Sequence, residues 1–330
     1  MSSALPLGAV LLRGALVTVV NWPVIAAEFI VESLYKLALA VPVVGGGVMV
    51  AVLVGTDMKS VFSNGIGAAA DLVMASLGGA PIALASFVAA SALVAFGGEV
   101  IMFVLKAGTL HVLVTGERHA GGIQDDPWQF DEVRRAYAWR GETLVEGVRR
   151  FGRRSFWLAV WLALAYGGIG GTYVVVITWG YGAVERSSWT SAWPLLVFLA
   201  TSIGVVTVTV INVAYDVMRV IIISDDCRVG DAFRRLGRFL VEDARQVIGI
   251  FAVFGLVLTL ATAVSIFATA GLALFAWVPF AGVFALPLQA AAWILRGLLF
   301  QAMALAALVA YEAQYRRFAM RSVSSGPSRE

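Results

Sequence analysis

A carboxylate, a guanidinium and two carboxamides stand inside runs that are otherwise apolar. Glu99 follows Gly97-Gly98 between Phe96 and Phe103, with Lys106 as the nearest base in sequence. Asn212 precedes Asp216 and Arg219 in a second stretch, and Arg296 and Gln301 share a third. In hydrocarbon an unpaired charge costs at least about 2.5–3.5 kcal/mol on insertion scales. Such groups therefore pair, snorkel to the interface, or line a path for a proton or solute. Asp216 and Arg219 are three residues apart, so one helix face can pair them. Glu99 has no such neighbour, and Arg296 must snorkel or find an acid in space. The candidate intramembrane polar site is Glu99, Asn212, Asp216, Arg296 and Gln301, with Glu99, Asn212 and Gln301 at similar depth.

Other chemistries have little support. His111 and His119 are the only histidines and stand near Glu117, Asp125 and Asp126. Their spacing and the lack of a second pair make a poor metal motif, so no metal is expected. Cys227 is the one cysteine, which excludes an internal disulfide, and two aspartates precede it. That field disfavours a thiolate. There is no Walker-type glycine loop, no nucleophile elbow and no Ser-His-Asp order. The glycines of "GGIGG" sit inside an apolar run. No catalytic residue and no cofactor are expected, and nothing points to nucleic acid.

The strongest pattern is a duplicated arginine stripe. "EGVRRFGRR" runs from Glu146 to Arg154 and "DAFRRLGRF" from Asp231 to Phe239. On a helix, Glu146, Arg149, Arg150 and Arg153 share one face, with Leu144, Val148 and Phe151 opposite. The second copy aligns Asp231, Arg234, Arg235 and Arg238 against Phe233, Leu236 and Leu240. Such a helix suits the membrane surface, apolar face in the lipid and guanidiniums among anionic headgroups, worth about 1 kcal/mol per basic residue. Arg149, Arg150, Arg153, Arg234, Arg235 and Arg238 are the candidate lipid or partner surface. The matched order of acid, arginine pair, glycine and arginine suggests two similar units, each a span, an amphipathic helix and a span.

These residues need an apolar host. The 330-residue chain is 60% hydrophobic and only 14% charged. That leaves too little polar surface to cover a soluble globule. Residues 37–56, 72–98, 155–184, 187–215 and 246–295 contain no charge. Runs of 18 or more apolar residues are candidates for transmembrane helices. The last run would span about 75 Å as one helix against a hydrocarbon core of about 30 Å, so it must turn back. Gly271, Pro279 and Pro287 are the expected breakers. The expectation is an all-α polytopic bundle of about six spans: 33–55, 81–106, 155–180, 193–222, 246–270 and 287–312. Residues 1–32 are expected to form interfacial amphipathic helices, the first 22 residues lying in the interface or packed on the bundle, with Glu32 placed to pair with Lys36. Residues 33–312 form the transmembrane domain, with polar regions at 107–154 and 224–245, and 313–330 is expected to be a disordered tail. Residues 57–80, with Lys59 and Asp71, are expected to form an exposed loop with a short amphipathic helix, and 271–286 an interfacial or re-entrant hairpin. Arg13 interrupts the N-terminal apolar run with no positive charge before it, which argues against a cleaved signal. The glycine clusters 45–47, 97–98 and 167–171 read as sites of close helix packing.

Basic residues set the orientation. The regions 106–154, 218–245 and 313–330 hold nineteen lysines and arginines, and the opposite loops hold Lys59 and Arg186. Both termini are expected in the cytoplasm of a bacterial inner membrane, the arginine-heavy composition suggesting a GC-rich genome. Residues 90–312, with the acid-small-apolar-Arg-Arg motif between spans twice over, resemble the membrane domain attached to some bacterial glycerophosphoryl diester phosphodiesterases and related six-span proteins. That resemblance implies an architecture and no activity, since no phosphodiesterase domain is present. The expected role is non-enzymatic: a scaffold, regulator or assembly factor meeting anionic lipid or a protein partner. The alternative is a transporter or channel-like protein with its path at Glu99.

Overall fold

An uncharged run in lipid has no water to bond its peptide groups, and a helix satisfies them locally. The computed structural model describes residues 6–54, 81–125, 130–185, 193–275 and 281–324. Among these the chain is helical throughout apart from short turns. The helices are α1 (Leu7–Val20), α2 (Trp22–Val54), α3 (Pro81–His119), α4 (Phe130–Ala136), α5 (Gly141–Glu185), α6 (Trp193–Ser224), α7 (Val229–Phe275) and α8 (Ala281–Ser324). The protein is an all-α polytopic helix bundle. Five described helices are long and apolar enough to cross a membrane, or six if α1 and the start of α2, broken at Asn21, make one span. The expected disordered tail at 313–330 is instead helical as far as Ser324, with Tyr315 and Phe318 in the core. The expected loop at 57–80 with Lys59 and Asp71, Arg186, Pro279 and residues 325–330 lie outside the described residues.

Two expected breaks are absent: Gly271 lies inside α7 and Pro287 inside α8. Proline removes one backbone donor, a cost that membrane helices accommodate. The arginine stripes also differ from expectation. The first continues without a break into the 45 residues of α5, so it extends its span and is not a separate helix lying on the surface. The second opens α7 and is divided from the apolar part only at Asp243 (φ −120°, ψ 21°).

The chain divides into two compact units: Met1–Ala26 with Val104–Glu330, and Ala27–Phe103. In the smaller unit, Tyr35 is the clasp between α2 and α3. Its hydroxyl donates to the Ala95 carbonyl at 3.3 Å and to Glu99 Oε1 at 3.2 Å, and its ring covers Gly98. Lys36 and Glu32 pair at 2.6 Å, as their spacing requires.

In the larger unit, burial is sharply segregated. Val10, Val17, Leu110, Leu113, Phe151, Ile221, Ile222, Phe239, Ile250 and Leu305 are fully buried in one core. Trp161, Trp179, Phe198, Ile203, Leu256, Phe267 and Leu295 are exposed. Apolar side chains facing outward are stable only against lipid or a partner. The spans of α5 and α7 run 42 and 43 residues. At 1.5 Å per residue these are about 63 Å long, roughly twice the hydrocarbon thickness. The surplus is the charged, core-forming end, where α1, α4 and the ends of α3, α5, α6, α7 and α8 pack together.

Close approaches build that core. A Cβ on Gly14 would lie 2.5 Å from the Ala306 carbonyl oxygen, so α1 rests directly on α8. A Cβ on Gly147 would lie 2.6 Å from His111 Cβ and 3.0 Å from Gly108 Cα, where α5 crosses α3. Asn21 closes the far side. It is fully buried, donates to the Val17 and Ala136 carbonyls at 2.9 and 2.8 Å, and accepts from Ala138 N at 2.8 Å.

Candidate functional site

The two arginine stripes are seated alike. Gly147 and Ala232 are buried, as are Phe151 and Leu236, while Arg149, Arg153, Arg234 and Arg238 are exposed. The second arginine of each pair turns instead to the acidic turn between α6 and α7. Arg150 donates to Asp226 Oδ2 through Nε at 3.1 Å and Nη2 at 2.5 Å, and Arg154 Nη1 reaches Asp226 Oδ1 at 2.5 Å. Arg235 pairs with Asp225, which also accepts from the Tyr315 hydroxyl. Asp226 holds this turn in the left-handed region (φ 50°), which aspartate tolerates better than most residues. The stripe is thus two surfaces: one guanidinium row aimed outward, one locking the two copies to a shared acidic turn.

The hydrogen bonds from Arg150 and then Arg154 hold the Asp226 carboxyl below its ordinary value. A depressed folded value stabilises above the unfolded one, and the gain is lost as pH falls through the folded value. The pair is exposed, so the effect is small. Asp226→Asn is therefore expected to lower the melting temperature slightly at pH 7, and to lose that part of the parent protein's acid-induced fall below about pH 4. An identical pH profile for both proteins would remove this role. Cys227 follows, buried, with its thiol pushed up chiefly by that burial, opposed by Arg235 and reinforced by Asp225 and Asp231. It is an inert thiol in the folded chain.

A deeper network fixes α1. Arg13 Nε donates to Glu117 Oε1 at 3.0 Å and Nη2 to the Glu117 carbonyl at 3.1 Å. Its Nη1 reaches the Gly121 carbonyl at 2.5 Å and Gln124 Oε1 at 2.8 Å. Arg316 Nη1 meets the other Glu117 oxygen at 2.5 Å. Glu117 is 3% exposed, so one carboxylate joins three helices inside the core. Asp243, at the α7 bend, accepts from Gln314 Nε2 at 3.1 Å and pairs with Arg321. Arg118 Nη2 donates to the Ser224 carbonyl at 2.6 Å, and Ser224 Oγ donates to Glu312 Oε1 at 2.8 Å.

The intramembrane candidates fall into separate local contacts. Glu99 belongs to the smaller unit and meets Tyr35. In the larger unit, Asn212 accepts from the Tyr166 hydroxyl. Arg219 lies 3.6 Å from Asp216, donates to the Lys106 carbonyl at 3.2 Å, and covers the Tyr215 ring at 5.6 Å. Arg296 lies 5.2 Å above the Phe300 ring and lines a cavity of about 410 Å³ with Gln289 and Ser265. Gln301 follows Phe300 on α8 and does not line that cavity. Among the described residues no three of His, Cys, Asp and Glu form a metal-binding group. His111 packs on the Phe151 ring at 5.4 Å.

No family model, no curated protein and no solved structure matches this chain. The molecule's own geometry therefore carries the functional reading. Asn21, Glu117, Gln314 and the acidic turn are partners that no spacing in the sequence marks. The one available signal was a charged or polar residue recurring in otherwise apolar helix, as at Arg13 in α1 and Asn21 after it. Arg13 and Asn21 find Glu117 and Ala136 more than a hundred residues away, beyond any local periodicity.

Proposed function

We propose that this integral membrane protein is a non-enzymatic scaffold, regulatory or assembly factor. Its ion-paired core presents Arg149, Arg153, Arg234 and Arg238 to anionic headgroups or to an acidic partner surface. The observation that supports this is the division of labour within each stripe: Arg150 and Arg235 are consumed by Asp226 and Asp225, while the four others face outward. The excess of basic residues on this side supports a cytoplasmic orientation for it, termini included, and on this reading the membrane is a bacterial inner membrane. Replacing the four outward arginines with glutamine is expected to lower several-fold the anionic lipid that co-purifies in gentle detergent, with the melting temperature little changed. Arg150→Gln with Arg235→Gln is expected to do the reverse, loosening the fold and sparing the lipid. Equal lipid retention by the four-arginine variant and the parent protein would refute the proposal.

A second reading, transport, is favoured by the Tyr35–Glu99 hydrogen bond, which sets a carboxylate beside a hydroxyl in an apolar setting. It expects Glu99→Gln to abolish ion or solute flux in proteoliposomes without loss of folded protein. Full flux in that variant would remove the transport reading.

A further inference from the structure

We infer that the groove between α5, α6 and α7 seats one anionic phospholipid, an acyl chain along its walls and the phosphate on Arg234. The cavity has a volume of about 730 Å³, lined by Trp161 and Ala165 of α5, Ala214 and Met218 of α6, and Phe233 and Arg234 of α7. That size lies within the range of about 300–1,000 Å³ typical of ligand pockets. Arg234 is the single charged residue in the lining, and apart from Tyr215 with its hydroxyl the rest is apolar or glycine. Its side chain is 83% exposed and meets Asp231 only at 3.8 Å, so it can turn to a phosphate without breaking a tight pair.

The groove's level selects a lipid over a soluble ligand. On α5 the last charge of the stripe is Arg154, and the groove begins at Leu158, where the uncharged run is under way. On α7 its wall is the first turns of the second stripe. Charged ends and apolar runs meet there, which is the headgroup boundary where tryptophan such as Trp161 concentrates. Trp161 and Phe233 are 63% and 67% exposed, apolar surface that an acyl chain would cover. The equivalent position in the first stripe is different. Arg149 and Arg150 line a surface hollow there with Glu142 and Glu146, whose two carboxylates balance the two guanidiniums and leave no net charge for a single phosphate. This inference rests on the surface reading above but narrows it to one seat and one arginine.

The test uses the full chain in detergent micelles with phosphatidylglycerol or phosphatidylcholine carrying a photoreactive acyl chain, followed by peptide mapping. Labelling is expected to concentrate in residues 158–165, 211–218 and 229–234, several-fold stronger with phosphatidylglycerol. Arg234→Gln should equalise the two lipids, and Arg140→Gln, at an exposed arginine outside both stripes, should leave the preference intact. Ala165→Phe with Ala214→Phe, which fills the groove, should remove that labelling and leave labelling elsewhere. Even labelling of all exposed apolar faces, including residues 256–267, would overturn the seat, as would protein–protein cross-links at the groove in place of lipid ones. If the filled variant fails to fold, the distribution of label on the unaltered protein still decides. Persistent groove labelling in a chain with Arg149, Arg153 and Arg238 all changed to glutamine, and unchanged bulk lipid retention, would sink the surface reading and keep the seat.

Discussion

Glu117→Ala is expected to release α1 from the bundle. The carboxylate is 3% exposed and receives Arg13 and Arg316 on its two oxygens. Arg13 has a side chain only 10% exposed, so without Glu117 it keeps its burial and loses its counter-charge. Removing one partner of a buried pair costs about 3–5 kcal/mol, more than the pair contributes over an apolar substitute. Arg316 is one-third exposed and can turn to water, so most of the penalty falls on Arg13. The readouts are the melting temperature in detergent and maleimide labelling of Cys227, the single buried thiol, which should quicken as the core opens. A double replacement, Arg13→Met with Glu117→Met, should recover much of the loss, because no uncompensated charge remains. A single variant that melts with the parent protein would show that this triad does not hold α1.

Gly147→Ala is expected to destabilise where the same change at Gly167 does not. Both glycines lie in α5, and a helix interior ordinarily prefers alanine by about 1 kcal/mol. At Gly147 the new methyl would meet His111 Cβ at 2.6 Å and Gly108 Cα at 3.0 Å. Neither atom is the free end of a side chain, so α3 and α5 must separate, at a cost of about 1–3 kcal/mol. At Gly167 nothing lies within 4 Å. The melting temperature should therefore fall for Gly147→Ala and hold or rise for Gly167→Ala. Equal shifts at both positions would mean that the α3–α5 crossing is not as close as described. The contrast also corrects the expectation that glycine clusters mark packing. Gly45, Gly97, Gly167, Gly168, Gly170 and Gly171 meet nothing, whereas isolated Gly14, Gly108, Gly116 and Gly147 carry the close approaches. Gly98 alone of the described cluster members is covered, by the Tyr35 ring.

Composition and run length by themselves determined that this chain is a helical membrane bundle with charged ends. Hydrocarbon leaves an uncharged run of twenty or more residues no other way to satisfy its peptide groups. Spacing along one helix was equally legible where both partners lie on it, as for Glu32 with Lys36 and Asp216 with Arg219. Periodicity tells which residues share a face and not what that face meets. Arg149 and Arg150 are neighbours in one stripe, yet only Arg150 finds Asp226, 76 positions on. Arg13 finds Glu117 across 104 positions, and Arg316 finds the same carboxylate across 199. Those choices depend on which helix ends are brought together beyond the lipid. There close packing replaces solvent as the neighbour of each side chain, so only the tertiary structure decided which arginines hold the core and which face outward.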